Sequence, residues 1–85
     1  MNEQSLSANE PFDKTLLLKV ARHKMPFGKY AGREIIRLPE EYLLWFVNND
    51  GFPKGELGQL MALALEIQIA GLEKIIWPLI DTKHQ

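Results

Sequence analysis

The sequence predicts a small α+β domain in which three helices pack with one two-stranded β-hairpin. Three observations lead there. Apolar side chains between residues 57 and 76 fill about 200° of a helical wheel, far more than the ~100° stripe of an ordinary surface helix. Gly28 and Gly32 bracket a short turn that is followed by the β-branched pair Ile35 and Ile36. The run from Tyr42 to Val47 is apolar all round the wheel and stops at Asn48-Asn49-Asp50-Gly51.

The elements follow in order. Pro11-Phe12-Asp13 opens the first helix, with Asp13 as the N-cap. Leu16, Leu17 and Val20 make its apolar stripe, and the helix should end between Arg22 and Lys24, where cations suit the negative end of the dipole. Three leucines in a row also leave a strand open over Thr15 to Val20. Met25 to Ile36 reads as the hairpin, its loop around residues 28–32, because Pro26 resists helix continuation and glycine takes positive φ freely. Two strands alone are marginal, so helices must cover them. Leu38-Pro39-Glu40-Glu41 opens the second helix, with proline at the first position and two acids at the positive end of the dipole. Trp45 is expected to anchor the core from this helix. Phe52-Pro53-Lys54-Gly55 is a tight connector. The last helix should run from about Gly55 to Trp77 and form the spine, with Pro78 discouraging continuation. Phe27, Leu43, Phe46, Leu60, Ala64 and Ile67 are the expected core. The domain is placed at residues 11–80, with a flexible polar tail at 1–10 and a C-terminal tail at 81–85.

A chain of 85 residues makes one domain at most. With no cysteine, disulfide scaffolds, thiolate zinc sites and cysteine nucleophiles are excluded. No apolar run approaches the ~20 residues of a membrane span, and the polar, acidic start lacks the features of a signal peptide, so the chain is expected to be cytoplasmic. Its two histidines, His23 and His84, form no ligand pair of helical spacing, so neither a metal nor another cofactor is expected. Glu40 and Glu41 read as dipole partners rather than an acid/base pair, and Gly28 to Arg33 lacks the spacing and the Lys-Ser/Thr of a Walker loop. The chain is therefore read as non-enzymatic.

Charge distribution carries the functional signal. The net charge is −1, yet residues 14–37 hold seven cations against Glu34 alone. Lys29 and Arg33 flank the tip of the expected hairpin, with Lys24 and Arg37 toward its base. Tyr30 lies between the two tip cations and could offer a stacking face, a pattern suited to single-stranded nucleic acid. Lys54, just before the last helix, is a weaker anion candidate. The breadth of the last helix's apolar arc raises a second expectation, a homodimer or protein partner meeting Gln68, Leu72 and Trp77. Gln68, in the middle of the arc, could set register there.

The string Met25-Pro-Phe-Gly-Lys-Tyr-Ala-Gly-Arg33, then Leu38-Pro-Glu-Glu-Tyr-Leu-Leu-Trp45, then Gly51-Phe-Pro-Lys-Gly-Glu-Leu-Gly58 resembles a bacterial family of unknown function catalogued as putative quorum-sensing-regulated virulence factors. The resemblance runs from about residue 12 to residue 77. Ala31 stands where the family often has lysine, which leaves the tip one positive charge fewer. A similar Phe-Gly-Lys-x-x-Gly module follows nuclease domains resembling the X-type exodeoxyribonucleases. Those domains typically carry an Asp-x-Glu metal motif, which this chain lacks. What the resemblance implies for this chain is an accessory nucleic-acid contact through Lys29, Tyr30 and Arg33. The competing expectation is a protein-interaction or dimerisation module in a regulatory pathway.

Overall fold

The computed structural model describes residues 13–74 and Pro78. Trp77, Leu79, Ile80 and the expected tails at 1–10 and 81–85 lie outside these residues. Among the described residues the fold is built on three α-helices, α1 (Lys14–Arg22), α2 (Glu40–Asn48) and α3 (Glu56–Ala70), and Glu73, Lys74 and Pro78 are also helical. A single 3-10 turn, Ile35–Arg37, sits between α1 and α2. The domain is mostly α, which corrects the expected α+β class: among the described residues there is no strand or sheet, only one isolated antiparallel bridge, Lys24 with Glu34.

The reason lies in Ile35 and Ile36. Both are fully buried, whereas consecutive residues of a strand point to opposite faces. A 3-10 turn instead lets both enter the space between α1 and α3, which both pack on it. Before it, residues 25–33 are spent on a closed loop. The Ile35 amide donates to the His23 carbonyl (2.9 Å), Met25 to Arg33 (2.8 Å) and Gly32 to Met25 (2.7 Å). Two tight turns fill the interior, with Ala31 donating to Gly28 (3.1 Å) and Arg33 to Tyr30 (3.0 Å). Pro26 has no amide hydrogen to extend a ladder. Gly28, at φ +80°, swings the chain around so that Phe27 faces outward, 48% exposed, and Met25 fills the core position expected of it.

Helix α1 begins as its sequence dictates: the Asp13 side chain accepts a hydrogen bond from the Thr15 amide at 2.7 Å. Val20 and Ala21 are its buried residues, and Leu17 packs beside them. On α2 only Leu43 is fully buried, with Tyr42 and Phe46 half-buried beside it. Trp45 is 57% exposed, contrary to its expected core role. An apolar helix covered by α3 on one face must leave its opposite face in solvent, and Trp45 falls on that face.

Helix α3 is the spine. Leu60, Met61, Leu63, Ala64, Leu65 and Ile67 are buried against α1, the 3-10 turn and α2, so this chain's own elements cover that part of the wide apolar arc. The helix stops at Ala70 rather than continuing to Trp77. Gly71 adopts the left-handed conformation (φ +72°), its amide donating to the Gln68 carbonyl and the Leu72 amide to the Ile67 carbonyl. This paired cap closes the last turn with Leu72 folded onto the core.

Lys19 Nζ reaches Glu56 Oε2 at 2.6 Å and ties α1 to the start of α3, both side chains half-exposed. The hydrogen bond from Lys19, and then its charge, hold the Glu56 carboxyl below its ordinary range. A depressed carboxyl contributes stability above the unfolded-state pKa and loses it as pH falls through the folded value. We therefore expect Glu56→Gln to be slightly less stable than the parent at neutral pH. The two should converge in acid, below the ordinary glutamate range, in denaturant titrations across pH. A gap that persists in acid would contradict this origin.

Candidate nucleic-acid interface

The 24–33 loop is the candidate site, and Tyr30 organises it. The Arg33 guanidinium carbon lies 4.9 Å from the Tyr30 ring centroid and Lys29 Nζ lies 5.5 Å from it, so both charged heads rest on one aromatic ring. Arg33 Nη1 also donates to the Arg37 carbonyl at 3.4 Å. Tyr30 is half-buried and meets Tyr42 of α2 edge-on, with centroids 4.8 Å apart. From Tyr42 an aromatic ladder continues to Phe46 (5.2 Å) and on to Phe52 of the connector (5.9 Å, stacked). The loop is thus braced on α2 rather than left as a free turn. Burial, and then the neighbouring Tyr30, push the Tyr42 phenol above its ordinary value, so the rung stays neutral throughout the physiological range.

The expected residues fall into three groups. Lys24, Lys29, Tyr30 and Arg33 come together on the loop. Lys24 sits at its base on the bridge, and Lys24 and Lys29 form no ion pair among the described residues. Arg37 is on the 3-10 turn, 3.5 Å from Glu34 Oε1, which offsets its charge locally. Lys54 is exposed on the connector, two residues beyond Phe52, the last ring of the aromatic ladder.

Gln68 and Leu72 are placed within the chain's own packing. Gln68 Nε2 donates to the Ile36 carbonyl (3.2 Å) and the Leu38 carbonyl (2.7 Å), clamping the 3-10 turn onto α3. Leu72 packs on the core. Trp77, the third expected interface residue, lies outside the described residues.

Tyr42 is the participant that sequence reasoning missed. Its spacing with Phe46 marks a helix face, but nothing local shows that the ring touches Tyr30. Among the described residues no group of three or more His, Asp or Glu side chains could hold a metal, and no helix is long and apolar enough to cross a membrane.

Over residues 13–79 the chain matches the family described as putative quorum-sensing-regulated virulence factor, and it belongs to that family. It is 52% identical over 67 residues to the uncharacterized protein YpeB of Escherichia coli K12, covering 79% of this chain and 93% of that protein. The YpeB protein of Escherichia coli O157:H7 shows the same identity and coverage. No solved structure matches the chain.

Proposed function

We propose that this family member is a non-catalytic accessory module whose 24–33 loop makes weak, salt-sensitive contacts with the phosphates of single-stranded nucleic acid. One observation carries the reading: Lys29 and Arg33 are held over the same ring, and that ring is braced on a helix. Two long cationic side chains normally lose rotamer freedom on binding an anion. Here the Tyr30 ring holds both heads in advance. Lys24 adds charge at the base, and the amides of Met25, Ala31, Gly32 and Arg33 already serve the loop's own closure, so this reading rests on side-chain charge.

The same geometry changes the role expected of Tyr30. Its ring already receives two cations and an edge contact from Tyr42, so it serves as a platform for cations rather than a stacking face for a base. Tyr30→Phe should bind like the parent, because the ring face does the holding. Tyr30→Leu should bind several-fold more weakly, since a partly exposed cation–π contact contributes about 0.5–1 kcal/mol. Fluorescence anisotropy of the three proteins with one labelled oligonucleotide checks the order. Equal affinity of the leucine variant would remove the platform.

The test of the function is a Lys29→Ala, Arg33→Ala double variant in an anisotropy salt series, with circular dichroism as the folding control. Binding of the parent to a single-stranded oligonucleotide should weaken with salt. The variant should lose most of it at low salt, its slope falling by about 0.7 for each phosphate contact removed. A parent that does not bind at low salt, or a folded variant that binds as well as the parent, overturns the reading.

A further inference from the structure

The outward face of α2 has chemistry opposite to that of the loop. Stepping 100° per residue from Glu40, the side chains of Val47, Glu40, Leu44, Asn48, Glu41 and Trp45 occupy one continuous arc of about 160°. All six are exposed, whereas Tyr42, Leu43 and Phe46 turn inward. Trp45 is 57% exposed, Val47 50% and Leu44 36%. A lone exposed apolar residue is ordinary, but three sharing a helix face make a patch. The anchor in this patch is fixed in place. Trp45 rests edge-on against Phe46 at 5.2 Å, and its carbonyl accepts a hydrogen bond from Asn49 Nδ2 at 2.8 Å.

Charge selects the occupant. Between Arg37 and Lys54 the chain has no cation, while Glu40, Glu41 and Asp50 mark the two ends of α2. Glu40 and Glu41 form no ion pair among the described residues. Nucleic acid and anionic lipid would be repelled from this face. A second copy fits poorly too: an antiparallel α2 pair would bring Glu40 and Glu41 toward Asp50, and a parallel pair would set them against themselves. What complements the face is a positively charged, apolar segment of a different molecule. We propose that the outer face of α2 docks a cationic amphipathic helix of another protein. Its apolar side chains would lie on Leu44, Trp45 and Val47, and its lysines or arginines beside Glu40 and Glu41. Tryptophan at the centre of a small patch is the usual anchor of such contacts, and an apolar face read at helical spacing is a usual mode of helix recognition. The proposal stands independently of the loop.

The experiment uses the full chain carrying Trp77→Phe, which leaves Trp45 as its one tryptophan. The probes are a synthetic amphipathic helix of leucine and lysine and its leucine–glutamate counterpart. The lysine peptide should shift the Trp45 emission to the blue and saturate at one peptide per chain, and the glutamate peptide should leave it unchanged. A Glu40→Gln, Glu41→Gln variant should weaken the lysine peptide about tenfold, as expected for two partly exposed ion pairs. Trp45→Ala, followed through a label on the peptide, should weaken it as well. Equal response to both peptides, or indifference to either variant in a chain that keeps its helical circular dichroism, overturns the proposal. So does a sedimentation mass showing a dimer that Leu44→Glu dissociates, which would assign the face to a second copy. Strong shielding of Trp45 from acrylamide in the free monomer also overturns it, because the chain itself would then cover the face.

Discussion

Gly58→Ala is expected to destabilise the protein, although alanine is the better helix former. In an exposed helix interior this substitution would stabilise by up to about 1 kcal/mol. At Gly58 an added Cβ would stand 1.7 Å from the Pro53 carbonyl oxygen, 2.9 Å from its carbon and 3.4 Å from Phe52 Cβ. The nearest atoms are backbone, so no rotamer change relieves the overlap, and the 52–55 connector must move off α3. Phe52 stacks on Phe46, so that displacement also pulls on the aromatic ladder that braces the loop. Overpacking costs about 1–3 kcal/mol and sometimes more, and this overlap belongs at the high end. The net loss should be about 2 kcal/mol or more, a fall in Tm of roughly 10 °C for a domain of this size. Gln59→Ala, at the exposed neighbouring position of the same helix, is the control and should be neutral or slightly stabilising. A Gly58→Ala protein as stable as the parent would show that the connector does not sit on α3 as described.

Gln68→Glu should be the second large effect, and its size should depend on pH. The amide nitrogen of Gln68 donates to two carbonyls, of Ile36 and Leu38, across 32 and 30 residues of sequence. Leaving such acceptors without a donor costs about 1–3 kcal/mol. An ionised carboxylate does worse, because it sets negative charge against both carbonyl oxygens. The introduced carboxyl should therefore titrate above its unfolded range in the folded protein. A group whose folded pKa is raised stabilises fully below the unfolded pKa and loses that contribution as pH rises through the folded one. The deficit relative to the parent should be largest at neutral pH and shrink toward pH ~4, where the protonated acid can donate one bond. Gln68→Leu should show a deficit with little pH dependence. Denaturant titrations of the three proteins at both pH values decide it. A deficit for Gln68→Glu that is unchanged by pH would mean that Gln68 does not face the two carbonyls.

The helix boundaries that depend on local chemistry were legible in the sequence. Asp13 caps α1 through its own side chain, Pro39 and the two glutamates open α2, and Asn48 to Gly51 close it. What was not legible depends on tertiary choice. A glycine-flanked turn before two isoleucines is equally compatible with a hairpin and with a closed loop leading into a 3-10 turn, and only the space between α1 and α3 decides. The run Tyr42 to Val47 contains no polar residue, and the flanking Glu40, Glu41 and Asn48, which share the outward face with Trp45, read as helix-end signals rather than as a polar side. The apolar pattern of α3 continues past Gly71, which hid the stop that the left-handed glycine imposes. In the candidate site the cations were legible, because charge density can be counted along a chain. The brace was not, because Tyr30 and Tyr42 meet only after α2 has docked.

The most direct measurement of the central claim is an amide nuclear magnetic resonance titration of the 15N-labelled protein with a single-stranded oligonucleotide at low salt. The account predicts progressive shifts concentrated at residues 24–33, centred on Lys29 and Arg33, that reverse when salt is added. The outer-face amides of Leu44, Val47 and Asn48 should stay in place, because Glu40 and Glu41 repel the same ligand. Shifts centred on α2, or no shift in the loop at concentrations where binding is detected by anisotropy, would contradict it.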